Sequence, residues 1–256
     1  MGSRDKVTVW ISLNSIKKLI FGIGLFAIVI GIVAYEIPTT KVWKYWSLPL
    51  AGVTIAIDPG HGGPDGGAVS KQGVIEKEIN LAVSLYLRDY LQQSGAVVVM
   101  TREEDQDLAD ENTKGYSKRK TQDLKRRVRF IEEHQAKLFV SIHMNAVPSS
   151  RWSGAQTFYS SNNGDSINLA EMIQEELKRN LENTDRVAKQ SDKSIYLLET
   201  LKMPAVLVEV GFLSNPDESA LLGDEAYQRK VAASIYQGIL RYSSGEKGKK
   251  GADINK

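Results

Sequence analysis

From Val53 onward the chain alternates short β-branched runs with longer segments of helical apolar spacing, a pattern that few folds accommodate. VTIAID (53–58) reads as a buried strand. The stretch from about Glu76 to Gln93 sets Ile79, Leu81, Ala82, Leu85, Tyr86 and Leu91 at helical spacing and stops at Gly95. AVVVMT (96–101) is the next strand, Leu124 to His134 a second helix and LFVSIH (138–143) a third buried strand. GAQTFYS (154–160) alternates its faces as a strand, and Asn168 to Leu181 is helical. PAVLVEVGF (204–212) is strand-like, and Ala226 to Tyr242 closes the series as a helix. The expected architecture is α/β: a single three-layer αβα domain, with a mostly parallel twisted sheet and helices on both faces. Residues 104–122 break the alternation with a polar, mixed-charge stretch, expected as a long surface loop of the kind that often carries function.

Composition narrows the chemistry. The 256 residues carry a net charge of +2, which gives no basic footprint for nucleic acid, so no nucleic-acid partner is expected. The absence of cysteine excludes disulfides, thiolate zinc sites and a cysteine nucleophile, and it fits export. Any metal must then be held by histidine and carboxylate. Leu19 to Tyr35 contains no charge and follows Lys17 and Lys18, which predicts a transmembrane or signal-anchor helix with everything after it outside the cytoplasm. The residues behind it make a poor small-x-small cleavage site, which favours an uncleaved anchor. The organisation read from these features is a cytoplasmic segment 1–18, the apolar helix 19–35, a linker 36–52, a catalytic domain 53–243 and a disordered tail 244–256.

In open α/β sheets ligands bind beyond the carboxyl ends of strands, and His61, His143 and Glu209 each fall at or just past such an end. IAIDPGHGGPDGG (55–67) could cradle a phosphate, but it lacks both phosphate-loop signatures and carries Asp58 and Asp65, which would repel an anion. A purely structural turn is the other bland reading. A metal reading needs two histidines and a carboxylate. Only His61, His134 and His143 exist, and His134, near a helix end, reads as a solvated residue interacting with the helix dipole. Glu76 and Glu78 both open the first helix, and spacing does not choose between them. Glu209 interrupts a buried strand, where an acid is costly unless it is paired, metal-bound or catalytic.

GHGGPDGGAV, GVIEKEINLA, FVSIHMNA and PAVLVEVGFLSN, in that order, resemble the zinc-dependent N-acetylmuramoyl-L-alanine amidases of bacterial cell walls, the Amidase_3 family. The resemblance runs from about Val53 to Tyr242. It implies Zn²⁺ held by His61, Glu76 and His143, with Glu209 as catalytic acid/base, and it selects Glu76 over Glu78. WSLPLAG, DLADENTKGYSKRK and WSGAQTFYS are similar to spore-cortex members of the family from endospore-forming bacteria. That likeness implies cleavage of the lactyl–L-alanine amide in cortex peptidoglycan so that muramic-δ-lactam can form. It also implies a site of action in the forespore intermembrane space, and functional partnership with a muramic acid deacetylase and a sporulation activator protein. SIYLLET departs from many family members in placing Glu199 where they have arginine. Asp58 and Asn145 are candidates for orienting the imidazoles, Arg127 for a structural or substrate-facing role, and the 104–122 stretch for an activator or substrate surface. The rival expectations are a vegetative-wall amidase, another zinc peptidase of similar fold, and a catalytically silent wall-binding protein.

Overall fold

The computed structural model describes residues 12–34, 48–192 and 194–248. It divides into two units, residues 1–47 and 48–256. In the first, helix α1 (Leu13–Ala34) is 22 residues long, about 33 Å at 1.5 Å per residue. Its Leu13–Gly31 stretch, with a mean hydropathy of 1.8 and no buried share, is long and apolar enough to cross a membrane. The helix starts earlier than the expected Leu19 and takes in both lysines, whose long stems can carry their charges towards an interface. The first eleven residues, Tyr35, most of the linker and the tail beyond 248 lie outside the described residues.

The second unit runs β1 (Thr54–Pro59), α2 (Glu76–Gln93), β2 (Val97–Met100), α3 (Tyr116–Glu133), β3 (Leu138–Asn145), β4 (Gln156–Tyr159), α4 (Asp165–Leu181), β5 (Lys189–Gln190), α5 (Tyr196–Thr200), β6 (Ala205–Phe212), α6 (Pro216–Leu222) and α7 (Glu225–Ser243). Among the described residues six strands form one sheet in the order β2-β1-β3-β6-β4-β5. Strands β2, β1, β3 and β6 are parallel. β4 runs antiparallel to β6 and carries β5 parallel to itself. The reversal has a simple origin: no helix separates β3 from β4, and a parallel return needs a crossover.

One face of the sheet buries Ile55, Ile57, Val140 and Val208 against α2, α4 and α7. The other buries Ala56, Phe139 and Leu207 against Val128 and Ile131 of α3 and Leu197 and Leu198 of α5. Both faces are covered, as the continuous apolar runs required. The second helix departs from expectation by starting at Tyr116 rather than Leu124. Its added turns, YSKRKTQD, show no apolar stripe because they are held by charge. Arg119 donates to Asp107 at 2.7 Å and Lys120 pairs with Asp65 at 3.0 Å. The short α6 was also not anticipated, although its start is marked: Asn215 caps the N–H groups of Asp217 and Glu218, with Pro216 in the first turn.

Candidate metal centre

The parallel strands bring three chemistry-bearing positions to one edge. β1 ends at Pro59, and the Gly60 N–H donates to Ile142 O of β3 at 2.9 Å, so the chain turns out of the sheet beside His143. His61 follows with φ +64°, a left-handed conformation that a non-glycine residue holds only when its surroundings enforce it. Buried arginines supply the enforcement. Arg127 Nη2 donates to His61 O at 2.7 Å and its Nη1 to Pro59 O at 3.0 Å. Arg102 donates to Pro59 O and Gly60 O from the neighbouring strand end.

Glu76, the first residue of α2, is 3% exposed, whereas Glu78 in the same turn faces solvent. The carboxylate is drawn back over the loop before it. Its Oε2 accepts the Ala68 N–H at 2.8 Å, and its Oε1 accepts the Met144 N–H at 3.1 Å. That Oε1 also lies 3.1 Å from His61 Nε2 and 3.1 Å from His143 Nδ1. His61, Glu76 and His143 each offer one ligand atom such that all three lie within 4.8 Å of one another.

This donor set fits a metal ion. Ligands about 2.0–2.1 Å from a tetrahedral zinc sit roughly 3.3 Å apart, close to the two 3.1 Å separations here. With two imidazoles and one carboxylate, a fourth position would remain open, as in hydrolytic sites. The glycines make room for this approach. A Cβ on Gly60 would overlap the His143 ring, and one on Gly67, at φ +68°, would overlap the Glu76 carboxylate. Without a metal, burial pushes the Glu76 carboxyl up, but the hydrogen bonds and charges of both imidazoles outweigh it and hold the acid well below its usual range. His61 is raised: burial would lower it, but Glu76 on one side and Asp65 on the other dominate.

Asp65, in sequence an acid hostile to phosphate, has a more specific place in the fold. Its Oδ1 lies 2.9 Å from His61 Nδ1, and its Oδ2 accepts from Lys120 at 3.0 Å. A carboxylate behind a ligating imidazole fixes its tautomer and orientation. The i, i+4 spacing in HGGPD was the available signal. Replacing Asp65 by asparagine should therefore weaken metal affinity by ~10–100-fold while leaving the fold intact. Titration calorimetry on the metal-free protein checks this, and unchanged affinity would remove Asp65 from the site.

Asp58 does not orient an imidazole, contrary to one sequence expectation. It lies beneath the site and accepts from Thr101 Oγ1 at 2.6 Å, Ser141 Oγ at 2.7 Å and Arg127 Nη1 at 2.7 Å. Among the described residues its hydrogen-bonded link to His61 runs through Arg127, which is itself buried and so not substrate-facing. Asn145 pairs with Phe212 where the β3–β6 register shifts, and its carbonyl accepts from Leu213. No bond from its side chain to either imidazole occurs among the described residues. His134 caps α3, with Nδ1 donating to Phe130 O at 2.8 Å, as its helix-end position implied.

The Asp58–Arg127 pair also sets an acid limit. Burial raises the Asp58 pKa, but the Arg127 charge and the donated hydrogen bonds overcome it and lower the group from 3.8 to about 2. A depressed carboxylate stabilises the fold above its unfolded pKa and loses that contribution as pH falls, here between about pH 4 and pH 2, amounting to roughly 2 kcal/mol. Denaturant unfolding across that window should show the loss. An Asp58→Asn chain should start less stable at neutral pH and lose less; parallel curves would dismiss the assignment.

The 104–122 stretch is a buttress for this loop. Asp105 accepts the Gly63 N–H at 2.8 Å and the Lys77 ammonium at 2.7 Å, while Lys120 grips Asp65 from above. On the α3–α5 face a cavity of about 200 Å³ lies between His143, Ser141, Phe139 and Leu207 and residues 194–198. Glu209, half-buried in β6, stands in register with His143 on β3 and opposite Gln156 on β4. Register partners present side chains to the same face, so the acid stands beside a candidate metal donor. Glu199, the departure in SIYLLET, accepts from Ser194 Oγ at 2.6 Å at the same cavity's rim.

Residues 55–241 match the profile of the Amidase_3 family, described as N-acetylmuramoyl-L-alanine amidase. The chain is 53% identical over 235 residues to the germination-specific N-acetylmuramoyl-L-alanine amidase of Bacillus subtilis, covering 92% of this chain and 98% of that one. It is 37% identical over 206 residues to the B. subtilis amidase LytC, covering 80% of this chain and 38% of that one. Among solved structures, the CwlD amidase of Clostridioides difficile, in complex with the GerS lipoprotein, superposes with a TM-score of 0.73 at 45% identity. That match covers 76% of this chain and all of the other.

Proposed function

The chain belongs to the N-acetylmuramoyl-L-alanine amidase family, and from that premise we propose a zinc-dependent cortex amidase whose machinery is His61, Glu76, His143 and Glu209. The enzyme is a cell-wall amidase acting on peptidoglycan outside the cytoplasm. The observation that carries the site reading is the single oxygen, Glu76 Oε1, set 3.1 Å from each of two imidazole nitrogens with Glu209 in register beside them.

His61, Glu76 and His143 would hold the metal, with Asp65 and Asn80 as their supports; Asn80 Nδ2 donates to Gly60 O at 3.2 Å. When bound, zinc supplies Lewis acidity that polarises the lactyl carbonyl and acidifies water. Glu209 accepts the proton of the attacking water and returns it to the alanine nitrogen as the C–N bond breaks and the C–O bond forms. The muramoyl side leaves with a carboxylate and the peptide with a free amine. Helix α1 anchors residues 53–243 outside the membrane, with Lys17 and Lys18 on the inner side.

The likeness to the germination-specific relative supports spore cortex as the substrate and the forespore intermembrane space as the place of action. A muramic acid deacetylase then acts on the product sugar, and a sporulation activator protein assists. A protein partner is supported by the relative's structure with a lipoprotein. Digestion of purified cortex by the zinc-loaded full-length protein, with mass analysis, tests the whole reading. Intact stem peptides beginning with a free L-alanine amine are expected, and fragments cut between amino acids would mark a peptidase instead.

A further inference from the structure

The geometry points to Arg186 as a specificity-determining residue that binds a carboxylate of the stem peptide, in a site braced by Trp152, Phe212 and Gln156. The inference rests on the amidase reading above.

Arg186 is half-buried and held on several sides. Its guanidinium carbon lies 4.9 Å from the Phe212 ring centroid and 5.8 Å from that of Trp152, which Arg151 also covers at 5.0 Å. Nε donates to Ser153 O at 3.1 Å and Nη1 to Gln156 Oε1 at 3.2 Å. A guanidinium has five N–H groups, so these bonds leave donors for a ligand. Arg119 and Arg127 are paired with acids, and Arg102 spends its donors on backbone carbonyls. Among the described residues neither Arg186 nor Arg151 has a carboxylate within ion-pair distance. Glu218, whose carboxyl burial pushes up, directs its oxygens to the N–H groups of Gly154 and Phe212, and the Arg186 charge is the least of the influences that oppose that push. A rigid, unneutralised guanidinium loses little freedom on binding and suits the planar fork of a carboxylate.

The sheet places it in line with the chemistry. His143, Glu209 and Gln156 occupy neighbouring positions on β3, β6 and β4, on one face and about 4.8 Å apart from strand to strand. Arg186 lies one hydrogen-bonded side chain beyond Gln156. An extended peptide advances ~3.3–3.6 Å per residue, so a peptide whose first residue is at Glu209 brings its second or third residue to this guanidinium. In peptidoglycan stems the residue after L-alanine is an acidic one. The indole of Trp152 already engages two cations, so the surface it offers is cationic rather than a bare platform for a sugar.

The test uses the full-length, metal-loaded protein and soluble peptidoglycan in two forms, with the α-carboxyl of the stem glutamate free or amidated. Wild type should favour the free acid by ~10-fold or more in kcat/KM, expressed mainly in KM. Arg186→Gln should bring the acid down to the amidated form's rate and leave the amidated form within ~2-fold, whereas Arg186→Lys should keep part of the preference. Circular dichroism and metal content guard against misfolding, and the lysine variant carries the test if the glutamine variant fails to fold. Equal preference in wild type and Arg186→Gln, or no preference in wild type, overturns the role of Arg186. Cleavage of neither form by wild type overturns the amidase reading itself.

Discussion

An alanine at position 209 should leave the metal bound and lower amide hydrolysis by roughly 10²–10⁴-fold, the usual contribution of a positioned acid–base group. The expectation follows from position. Glu209 stands beside His143 in the β3–β6 register but is not one of the three clustered donor atoms. Its removal therefore withdraws the proposed proton acceptor and leaves the candidate donor set complete. The flanking residues of β6 are buried in both faces of the sheet, so the strand itself should hold. Metal analysis beside a peptide-release assay on peptidoglycan reads both halves of the prediction. Activity within tenfold of wild type would disqualify Glu209 as the general base. Loss of metal would make it a ligand.

The second large effect belongs to Glu76, and it should be of a different kind. Glu76→Ala removes the proposed metal donor, which is also the acceptor of the Ala68 and Met144 N–H groups and the carboxylate that both imidazoles face. Metal affinity should fall by more than ~100-fold, beyond what the loss of a supporting residue costs. Stability should fall by about 1–3 kcal/mol for the stranded buried N–H groups. Glu76→Gln separates the two consequences. Its amide oxygen can still accept a backbone N–H, so most of the stability should return while the metal stays weakly held. Equilibrium dialysis with zinc and thermal unfolding of the metal-free chains measure each part. Full occupancy in either variant would end the ligand assignment.

Much of this centre could be read from the chain because its residues violate their local surroundings. Glu209 interrupts a run that is otherwise apolar, and His143 ends another, so each announces a cost that something else must offset. Helix α2 matched its expected bounds because its apolar spacing is regular from Glu76 onward. The opening turns of α3 carry charge in place of an apolar stripe, and their partners, Asp107 and Asp65, lie elsewhere in the chain. No periodicity reports such pairs. Strand β5, two exposed residues long, and the five-residue α5 are likewise too short to show a period.

By itself the sequence determined the layered α/β class, the exclusion of thiolate chemistry, and the histidine and acid positions that can reach the end of a parallel sheet. Those properties reside in residue type and periodicity, which survive without coordinates. The family resemblance singled out Glu76, but periodicity could not, and the tertiary structure supplies the physical reason: Glu76 turns inward to the histidines whereas Glu78, two residues on, faces solvent. The tertiary structure alone gave Asp58 to Arg127 rather than to an imidazole, and Asp65 to His61. It also turned the 104–122 stretch into a brace for the loop that carries His61. These choices depend on side chains distant in sequence meeting within hydrogen-bond range, a condition set by how the strands and helices pack.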